Sequence, residues 1–278
     1  MDKICYNGQF LEKNGFSISI DNRGFRYGDS FFETIKCYNG KPLFFEEHYF
    51  RIAASFCVLK LNTPSLFKID FFKSLIEDLL IKNKLNHSSA RVRISFFRSE
   101  GGYYLPENHQ VNFIIEAHLL EQNEYKLNIK GDYVGLYKEN LLPKTTLSNI
   151  KSNNKLINVL ASIYAKDNNY DDCILINDNK SIVEAISGNL FIWHENMLKT
   201  PGLENGCVNG VLRTVLLNNH ELKIKECLIS ISDLFNAEEV FITNVICGVK
   251  WVETINNITY SNNRSKKIIK LLNDTYLI

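Results

Sequence analysis

The segment at residues 148–156 constrains the fold of this chain most, because it joins two kinds of secondary structure. Residues 145–150 are compatible with a short β-strand, and the apolar residues that follow recur at helical spacing. Lys151 lies at this predicted strand-to-helix junction. Most lysines are solvated, but an amine placed there can point into a cleft, lose its proton near neutral pH and form a Schiff base. Lys151 is therefore a candidate nucleophile. The apolar positions of the predicted helix are Leu156, Val159, Leu160 and Ile163.

A second feature is a single acid among the apolar and small residues 181–193. This acid is Glu184. A carboxylate in apolar surroundings needs a partner, because an unpaired buried charge is costly. The partner could be a buried arginine, a group of backbone N–H donors, or the protonated ring nitrogen of a cofactor.

Strand-like and helix-like segments are mixed along the whole chain, which predicts an α/β (α+β) fold. The turn dipeptides Asn7-Gly8 and Asn14-Gly15 predict short hairpin strands near the start. Residues 21–29 are polar, contain glycines and are predicted to form a loop. Further predicted strands cover residues 31–38, 90–98, 111–118, 173–176 and 239–243, with a hairpin around Glu184 and Trp193. Predicted helices begin at Glu46, Leu66, Leu156, Gly206, Ser230 and Asn263.

The chain has 278 residues, which is enough for one large or two modest domains. The polar segment from Glu121 to Tyr125 is the candidate linker. We therefore predict an N-terminal domain at 1–120, a linker at 121–126 and a C-terminal domain at 127–278.

Charge and cysteine content narrow the class of protein. The 32 basic and 31 acidic residues leave a net charge of +1, which gives no electrostatic reason to expect nucleic acid or an anionic membrane as a partner. The seven cysteines lack a Cys-x-x-Cys pair, so we expect reduced thiols and no metal site. No apolar run approaches the ~18 residues of a membrane span, and the N-terminus lacks a signal-peptide pattern. These features predict a soluble, cytoplasmic protein.

Several other positions could bind anions. Arg51 lies in the helix that begins at Glu46, where an arginine is ordinarily exposed. The strand at 90–98 carries three arginines, which could form a solvated edge or a wall for an acidic substrate. The helix start at 206–213 has backbone N–H groups suited to a phosphate. The three arginines are Arg91, Arg93 and Arg98, and Tyr103 lies in the Gly-rich loop that follows them.

Two motifs carry a resemblance to a known family: Lys151 with Asn154 before a Leu-rich helix, and Glu184 with Ser187, Asn189 and Phe191. Their order is similar to that of the class IV, fold-type IV, pyridoxal-phosphate (PLP) enzymes. These are the branched-chain aminotransferases, the D-amino-acid aminotransferases and the aminodeoxychorismate lyases. The resemblance runs from about Asn7 to the C-terminus. It implies two α/β domains with PLP between them, an amino carboxylate substrate, and a homodimer whose partner loops help to close the site.

The resemblance also implies roles for individual residues. Lys151 would attach the cofactor and then act as the general base, and Glu184 would keep the ring nitrogen protonated. Asn189 belongs to the cofactor-binding motif. The family usually has small hydroxyl residues in the second phosphate turn, where Val245 offers only its backbone N–H. The implied phosphate ligands are Arg51, the backbone of Val211 and Leu212, and the turn at Asn244 and Val245.

The substrate-binding residues favour one activity without excluding others. Asn244 after Thr243 and the basic Lys155 resemble the lyase, which produces 4-aminobenzoate and pyruvate for folate synthesis. Phe32 replaces a tyrosine of the D-amino-acid aminotransferases. In contrast, Glu33 and Arg93 resemble the branched-chain aminotransferases. The implied substrate-binding residues are Phe32, Arg93, Arg98 and Tyr103, and Thr34 is the candidate proton relay.

We therefore predict an aminodeoxychorismate lyase and keep three alternatives. The first is a branched-chain or D-amino-acid aminotransferase, with the loop at 98–106 deciding the substrate. The second is a catalytically silent protein that binds PLP. The third, a hydrolase using a cysteine, is disfavoured because no cysteine stands beside a Gly-rich elbow or an obvious partner histidine.

Overall fold

The computed structural model describes residues 2–277, which form two compact units. The first contains the residues up to Asn123 together with Ile150–Asn154, and the second contains Glu124–Asn149 and the residues from Lys155 onward. The change at Asn123 lies within the segment predicted as a linker. The return of Ile150–Asn154 to the first unit has no counterpart in the sequence-based division, and this segment carries Lys151.

An antiparallel sheet with three helices makes up the described part of the first unit. Its strands are β1 (Lys3–Tyr6), β2 (Gln9–Glu12), β3 (Ser30–Tyr38), β4 (Lys41–Pro42), β5 (Ser89–Arg98) and β6 (Val111–Leu120), and its helices are α1 (Arg23–Tyr27), α2 (Phe45–Val58) and α3 (Ile69–Lys82). The strand order is β2-β1-β6-β5-β3-β4. The hairpin predicted around Asn7-Gly8 is β1–β2.

Alternation along β3 and β5 gives the sheet two different faces. One face packs with α2 and α3 in an apolar core that includes Phe31, Ile35 and Phe96. The opposite face of β3 carries Phe32 and Thr34. The candidate site uses this second face, together with polar residues where β3 meets α2.

A mixed sheet with four helices makes up the described part of the second unit. Its strands are β7 (Asp132–Leu142), β8 (Asp172–Asn177), β9 (Ile182–Ala185), β10 (Asn189–His194), β11 (Met197–Pro201), β12 (Lys225–Cys227), β13 (Glu239–Asn244), β14 (Gly248–Ile255) and β15 (Ile258–Thr259), and its helices are α4 (Leu156–Asp167), α5 (Val211–Leu217), α6 (Ile231–Phe235) and α7 (Asn263–Tyr276). The strand order is β12-β11-β10-β13-β14-β7-β8-β9, and β15 pairs with β14. Within residues 2–277, no helix has both the length and the apolar character needed to cross a bilayer.

Residues 145–150 differ from the prediction, because they do not form a strand. Thr146–Asn149 is a 3₁₀ helix. The Ser148 hydroxyl donates to Pro143 O (2.6 Å), so a short polar side chain satisfies the backbone locally and competes with sheet pairing. Lys151 consequently follows a turn, although the helix after it begins at Leu156 as predicted.

Residues 21–29, predicted as a loop, contain α1. Asn22 caps this helix by accepting a hydrogen bond from Phe25 N–H, and Gly28 ends it in the left-handed conformation at φ 64°. Helix α1 is a single turn with a cap at each end, so it is too short to contain an apolar repeat. The periodicity that reveals longer helices is therefore missing here.

The hairpin predicted around Glu184 and Trp193 is also wrong, although a tight turn does join its two strands. Ala185 N–H donates to Gly188 O, but β9 then pairs with β8, whereas β10 pairs with β11 and β13. Gly188 lies so close to β13 that an added Cβ would come within 2.3 Å of Thr243 O. This close approach directs the chain toward β13.

Helix α4 buries the side opposite to its apolar stripe. Ala161 and Ala165 pack in a core with Tyr137 and Leu175. The stripe that predicted the helix is 45% to 77% exposed. It therefore remains uncovered within the described chain. Its members are Leu156, Val159, Leu160 and Ile163.

Candidate active site

Backbone hydrogen bonds fix Lys151 beside the first half of β3. Phe32 N–H donates to Lys151 O (2.9 Å), and Asn153 N–H donates to Ser30 O (3.0 Å). Ser152 forms an antiparallel bridge with Phe31. β4 pairs only with the far end of β3, so the start of that strand can accept the segment as an additional partner. The amine-bearing residue is thus part of the sheet edge.

The Phe32 ring lies beside two cationic side chains. Lys151 Nζ is 4.6 Å from the ring centroid, and Arg93 Cζ is 3.7 Å from it. Both distances fall within the range of cation–π attraction. Arg93 Nε also donates to Ser95 Oγ (3.1 Å). Burial lowers the pKa of Arg93 and Glu116 opposes that shift, but an arginine keeps its charge at neutral pH. Three residues predicted from the sequence therefore lie together in the first unit.

Thr34 lies on the same face of β3, two residues after Phe32. It is directly opposite Arg93 in the β3–β5 register and is buried. Thr34 therefore shares a face of the sheet with Phe32, whose ring lies 4.6 Å from Lys151 Nζ. Its role as a proton relay stays a prediction.

Arg51 is held in a buried cluster with Glu33 and His48. Its Nε donates to Glu33 Oε1 (2.7 Å) and its Nη2 to Oε2 (2.6 Å), while His48 Nδ1 lies 2.6 Å from Oε2. Burial alone would raise the pKa of Glu33, but the Arg51 charge and the hydrogen bonds from His48 and Arg51 lower it to about 2. The Arg51 side chain is 9% exposed, which contradicts the ordinary expectation of an exposed helix arginine.

Arg98 is committed to contacts inside the first unit. Its Nε donates to Asp29 Oδ2 (2.8 Å), its Nη2 to Leu59 O (2.6 Å), and its Nη1 to Lys60 O (3.3 Å), with His109 Nδ1 at 2.8 Å. The residue is buried. This placement does not support the predicted substrate-binding role of Arg98, because each guanidinium nitrogen already has a protein acceptor.

The Gly-rich loop after β5 is fastened by Arg23, a residue that the sequence did not single out. Arg23 Nη1 donates to the carbonyls of Gly101 (3.0 Å), Gly102 (3.2 Å) and Tyr103 (2.6 Å), and its Nε donates to Asp29 (3.0 Å). Tyr103 itself is 82% exposed, and its substrate-binding role stays a prediction. No local signal reveals these contacts, since they join residues about 80 positions apart.

In the second unit, Glu184 and Asn189 hold the turn that precedes α5. Glu184 Oε2 accepts from Val208 N–H (2.8 Å), and Asn189 Nδ2 donates to Val208 O (2.8 Å). Both side chains are buried. Gly210 packs closely against Asn189, because an added Cβ would lie 1.8 Å from Asn189 Oδ1 and would have to displace that side chain. A backbone donor is therefore one partner of the Glu184 carboxylate, and Asn189 supports the turn.

The two predicted phosphate-binding segments lie at the start of α5 and at the turn after β13. Val211 and Leu212 begin α5, where the first N–H groups have no acceptor within the helix. Asn244 Oδ1 accepts from Ile246 N–H (3.0 Å) and Cys247 N–H (2.9 Å), and its Nδ2 donates to Ser187 O (3.1 Å). The Asn244 amide thus shapes its own turn.

Val245 and Thr243 flank this asparagine. Val245 is buried, and its carbonyl accepts from the Tyr125 hydroxyl (2.9 Å). Thr243 Oγ1 is buried and lacks a hydrogen-bond partner among the residues that the structure describes. Since Val245 has no polar side chain, only its backbone N–H could serve a phosphate.

A family model, the class IV aminotransferases, matches residues 30–255. The chain belongs to the class IV aminotransferase family. Among its relatives, a D-alanine aminotransferase of Listeria innocua is 24% identical over 281 residues, which covers 99% of this chain and 95% of that protein. An aminodeoxychorismate lyase of Vibrio harveyi is 27% identical over 248 residues, which covers 86% and 87%.

Solved structures of class IV aminotransferases share the fold. The branched-chain aminotransferase of Thermoproteus uzoniensis has a TM-score of 0.88 at 19% identity, covering 97% of this chain and 93% of that one. Class IV aminotransferases are PLP-dependent enzymes, so this chain is one too. The predicted family, the α/β (α+β) fold and the cofactor are confirmed. The side chains present also fit PLP: they include an amine, a guanidinium and a carboxylate buried beside a backbone donor.

Proposed function

We propose that this enzyme is a 4-amino-4-deoxychorismate lyase, which forms 4-aminobenzoate and pyruvate. The observation that carries the proposal is the turn built by Asn244. Its side-chain amide bonds Ile246, Cys247 and Ser187, in a position where aminotransferases of the family usually have small hydroxyl residues. The 27% identity to the Vibrio harveyi lyase supports the same activity.

In this proposal, separate residues of the chain would attach PLP, hold its ring nitrogen and bind its phosphate. When bound, PLP supplies an aldehyde that can be attached to an amine and a ring that withdraws electrons from the substrate. Lys151 Nζ would attach it. The Glu184 carboxylate, anchored by Val208 N–H, would hold the ring nitrogen protonated. Arg51, the backbone of Val211 and Leu212, and the turn at Asn244 and Val245 would bind the phosphate.

The proposed reaction needs one proton removed and one delivered. Lys151 Nζ takes the proton from the amino-bearing ring carbon of the substrate. The neighbouring C–O bond then breaks, and the enolpyruvate leaving group accepts a proton through the Thr34 hydroxyl and becomes pyruvate. Formation of the aromatic ring drives the step. Arg93, stacked on Phe32, would bind a substrate carboxylate, with Tyr103 as a further contact.

An aminotransferase is the second candidate, and the placement of Arg93 favours it equally. A guanidinium stacked on the same ring as Lys151 suits the carboxylate of an α-amino acid as well as that of aminodeoxychorismate. The 24% identity to the Listeria innocua D-alanine aminotransferase supports this reading. Branched-chain and D-amino acids are the substrates to compare.

The experiment that separates these activities starts from the absorbance spectrum of the purified enzyme with PLP. We expect a violet-region band that borohydride removes by fixing the cofactor to Lys151, and no such band in Lys151→Ala. Equal amounts of 4-aminobenzoate and pyruvate from aminodeoxychorismate would support the lyase. Conversion of the cofactor to its amine form by an amino acid, without 4-aminobenzoate, would replace it by the aminotransferase.

We further propose that the enzyme is a cytoplasmic homodimer. The exposed apolar stripe of α4 supports self-association, because such a surface gains free energy when it is covered. All seven cysteines are free in the structure, which suits a reducing compartment.

A further inference from the structure

The orientation of Arg51 depends on how its guanidinium is held. Glu33 engages Nε and Nη2 with its two oxygens at 2.7 and 2.6 Å, in the side-by-side geometry that fixes the plane of the group. Glu33 is fully buried, so water does not compete for this carboxylate. A strand residue, Glu33 of β3, therefore orients the guanidinium of Arg51, which belongs to α2.

His48 is the third member of this cluster. It lies one helical turn before Arg51 on the same face of α2, and its Nδ1 is 2.6 Å from Glu33 Oε2. Its Nε2 is buried and has no hydrogen-bond partner among the described residues. Leaving a polar atom in this state costs free energy. The contact that offsets the cost is the one from Nδ1–H to Glu33.

The charge states agree with this geometry. Burial lowers the pKa of His48 although Glu33 raises it, so the imidazole is neutral and carries its hydrogen on Nδ1. Glu33 is ionised and accepts from both neighbours. The cluster therefore contains one guanidinium and one carboxylate, with the imidazole acting as a neutral donor.

We propose that Glu33 and His48 are positioning residues that fix the Arg51 guanidinium for the phosphate of PLP. The inference rests on the proposed role of Arg51. Glu33 holds the guanidinium plane, and His48 holds the carboxylate that does so. Neither residue contacts the cofactor in this scheme, so each affects binding of the phosphate only through Arg51.

The test compares the binding of PLP with that of pyridoxal, which lacks the phosphate. We expect Glu33→Gln and His48→Leu each to weaken PLP binding by about 10-fold or more, the scale of a lost charge-assisted hydrogen bond. Pyridoxal binding should stay within about twofold, since changes outside the altered contacts are small. His48→Asn, which keeps a donor near Nδ1, should restore most of the PLP affinity. Glu46→Gln is the matched control, because Glu46 is an exposed acid in the first turn of the same helix.

Arg51→Ala separates the possible failures. If it leaves the ratio of PLP to pyridoxal affinity unchanged, the proposed role of Arg51 is wrong. If it lowers the ratio while Glu33→Gln and His48→Leu do not, only the positioning role is overturned. Equal weakening of both ligands by the two variants would also overturn it, because that result describes a general loss of structure. A double variant, Glu33→Gln with Arg51→Ala, should lose no more phosphate selectivity than Arg51→Ala alone. If Glu33→Gln does not fold, the pair His48→Leu and His48→Asn decides.

Discussion

Among single residues, Glu184 carries the clearest prediction about the reaction. Glu184→Gln can still accept the Val208 N–H bond of 2.8 Å, so the turn before α5 should persist. It lacks the charge that would keep the cofactor ring protonated. We expect PLP to remain bound while kcat falls by about a hundredfold, the scale seen when one electrostatic contact at a reacting centre is removed. Near-normal kcat would contradict this role, and Glu238→Gln, at an exposed acid of the same unit, is the control.

Glu33 carries a prediction about acid stability. Its pKa is lowered to about 2 in the folded protein, below the unfolded value of about 4.3. The ionised carboxylate therefore stabilises the fold above the unfolded pKa, and this contribution is lost as the pH falls toward 2. We expect about 3 kcal/mol of the free energy of unfolding to depend on Glu33 in this range.

Urea unfolding at pH 6 and pH 3 measures the part of this contribution that is lost above pH 3. The wild-type enzyme should lose more stability between the two pH values than Glu33→Gln, which has no carboxyl group to protonate. An equal loss in both proteins would show that Glu33 does not titrate in this way. Comparing the change, rather than the absolute stability, removes the contribution of other carboxylates.

Lys151 was singled out by its place before a predicted helix and by the order of the family motifs, and Glu184 because it is the single acid among apolar and small residues. Their roles stay predictions. Their partners were not predictable. Phe32 and Val208 reach them through pairing that depends on the whole fold, and Val208 contributes a backbone group that any residue possesses. Arg98 illustrates the same limit. The sequence predicted that Arg98 binds the substrate, but its guanidinium donates to the carbonyls of Leu59 and Lys60, which are almost 40 positions away in the chain.

At the level of elements, several long strands and helices followed from periodicity, whereas β7 and β14, which are also long, and the short elements did not. β3, β5 and α2 have enough residues for a repeat to be visible. The 3₁₀ turn at Thr146–Asn149 and the single turn of α1 depend on side-chain caps instead. The pairing of β9 with β8 rather than β10 depends on the close approach of Gly188 to β13. Such contacts between distant segments leave no periodic signal.

The loop after β5 gives a prediction at this level. Its tip exposes Tyr103, Tyr104 and Leu105 at 82% to 90%, yet Arg23 holds its backbone at three carbonyls. Arg23→Gln should free this loop, since a neutral amide cannot bond all three carbonyls and Asp29 together. We expect chymotrypsin to cleave after the exposed aromatic residues about tenfold faster than in the wild type, as for a local opening made easier by about one hydrogen bond.

The control for this loop is Arg26→Gln. Arg26 lies on the same short helix but pairs with Asp21 on the surface, so its loss should not change the cleavage rate. Mass spectrometry of the first fragments locates the cut. Cleavage of Arg23→Gln at the wild-type rate would show that the bonds from Arg23 do not keep the loop ordered.

For the molecule as a whole, the exposed apolar stripe of α4 is the surface through which we expect two copies to form a dimer in solution. Its residues show helical spacing but face away from the core that Ala161 and Ala165 join. Burying a Leu or Ile side chain gains about 2 kcal/mol, and a twofold interface counts each substitution twice. Leu160→Glu should therefore weaken a dimer at least about a hundredfold.

Sedimentation velocity over a range of concentrations measures this change. Lys166→Glu, which alters charge on an exposed part of the same helix, should leave the dimer intact. If Leu160→Glu sediments like the wild type at every concentration, the stripe is not the surface through which two copies associate.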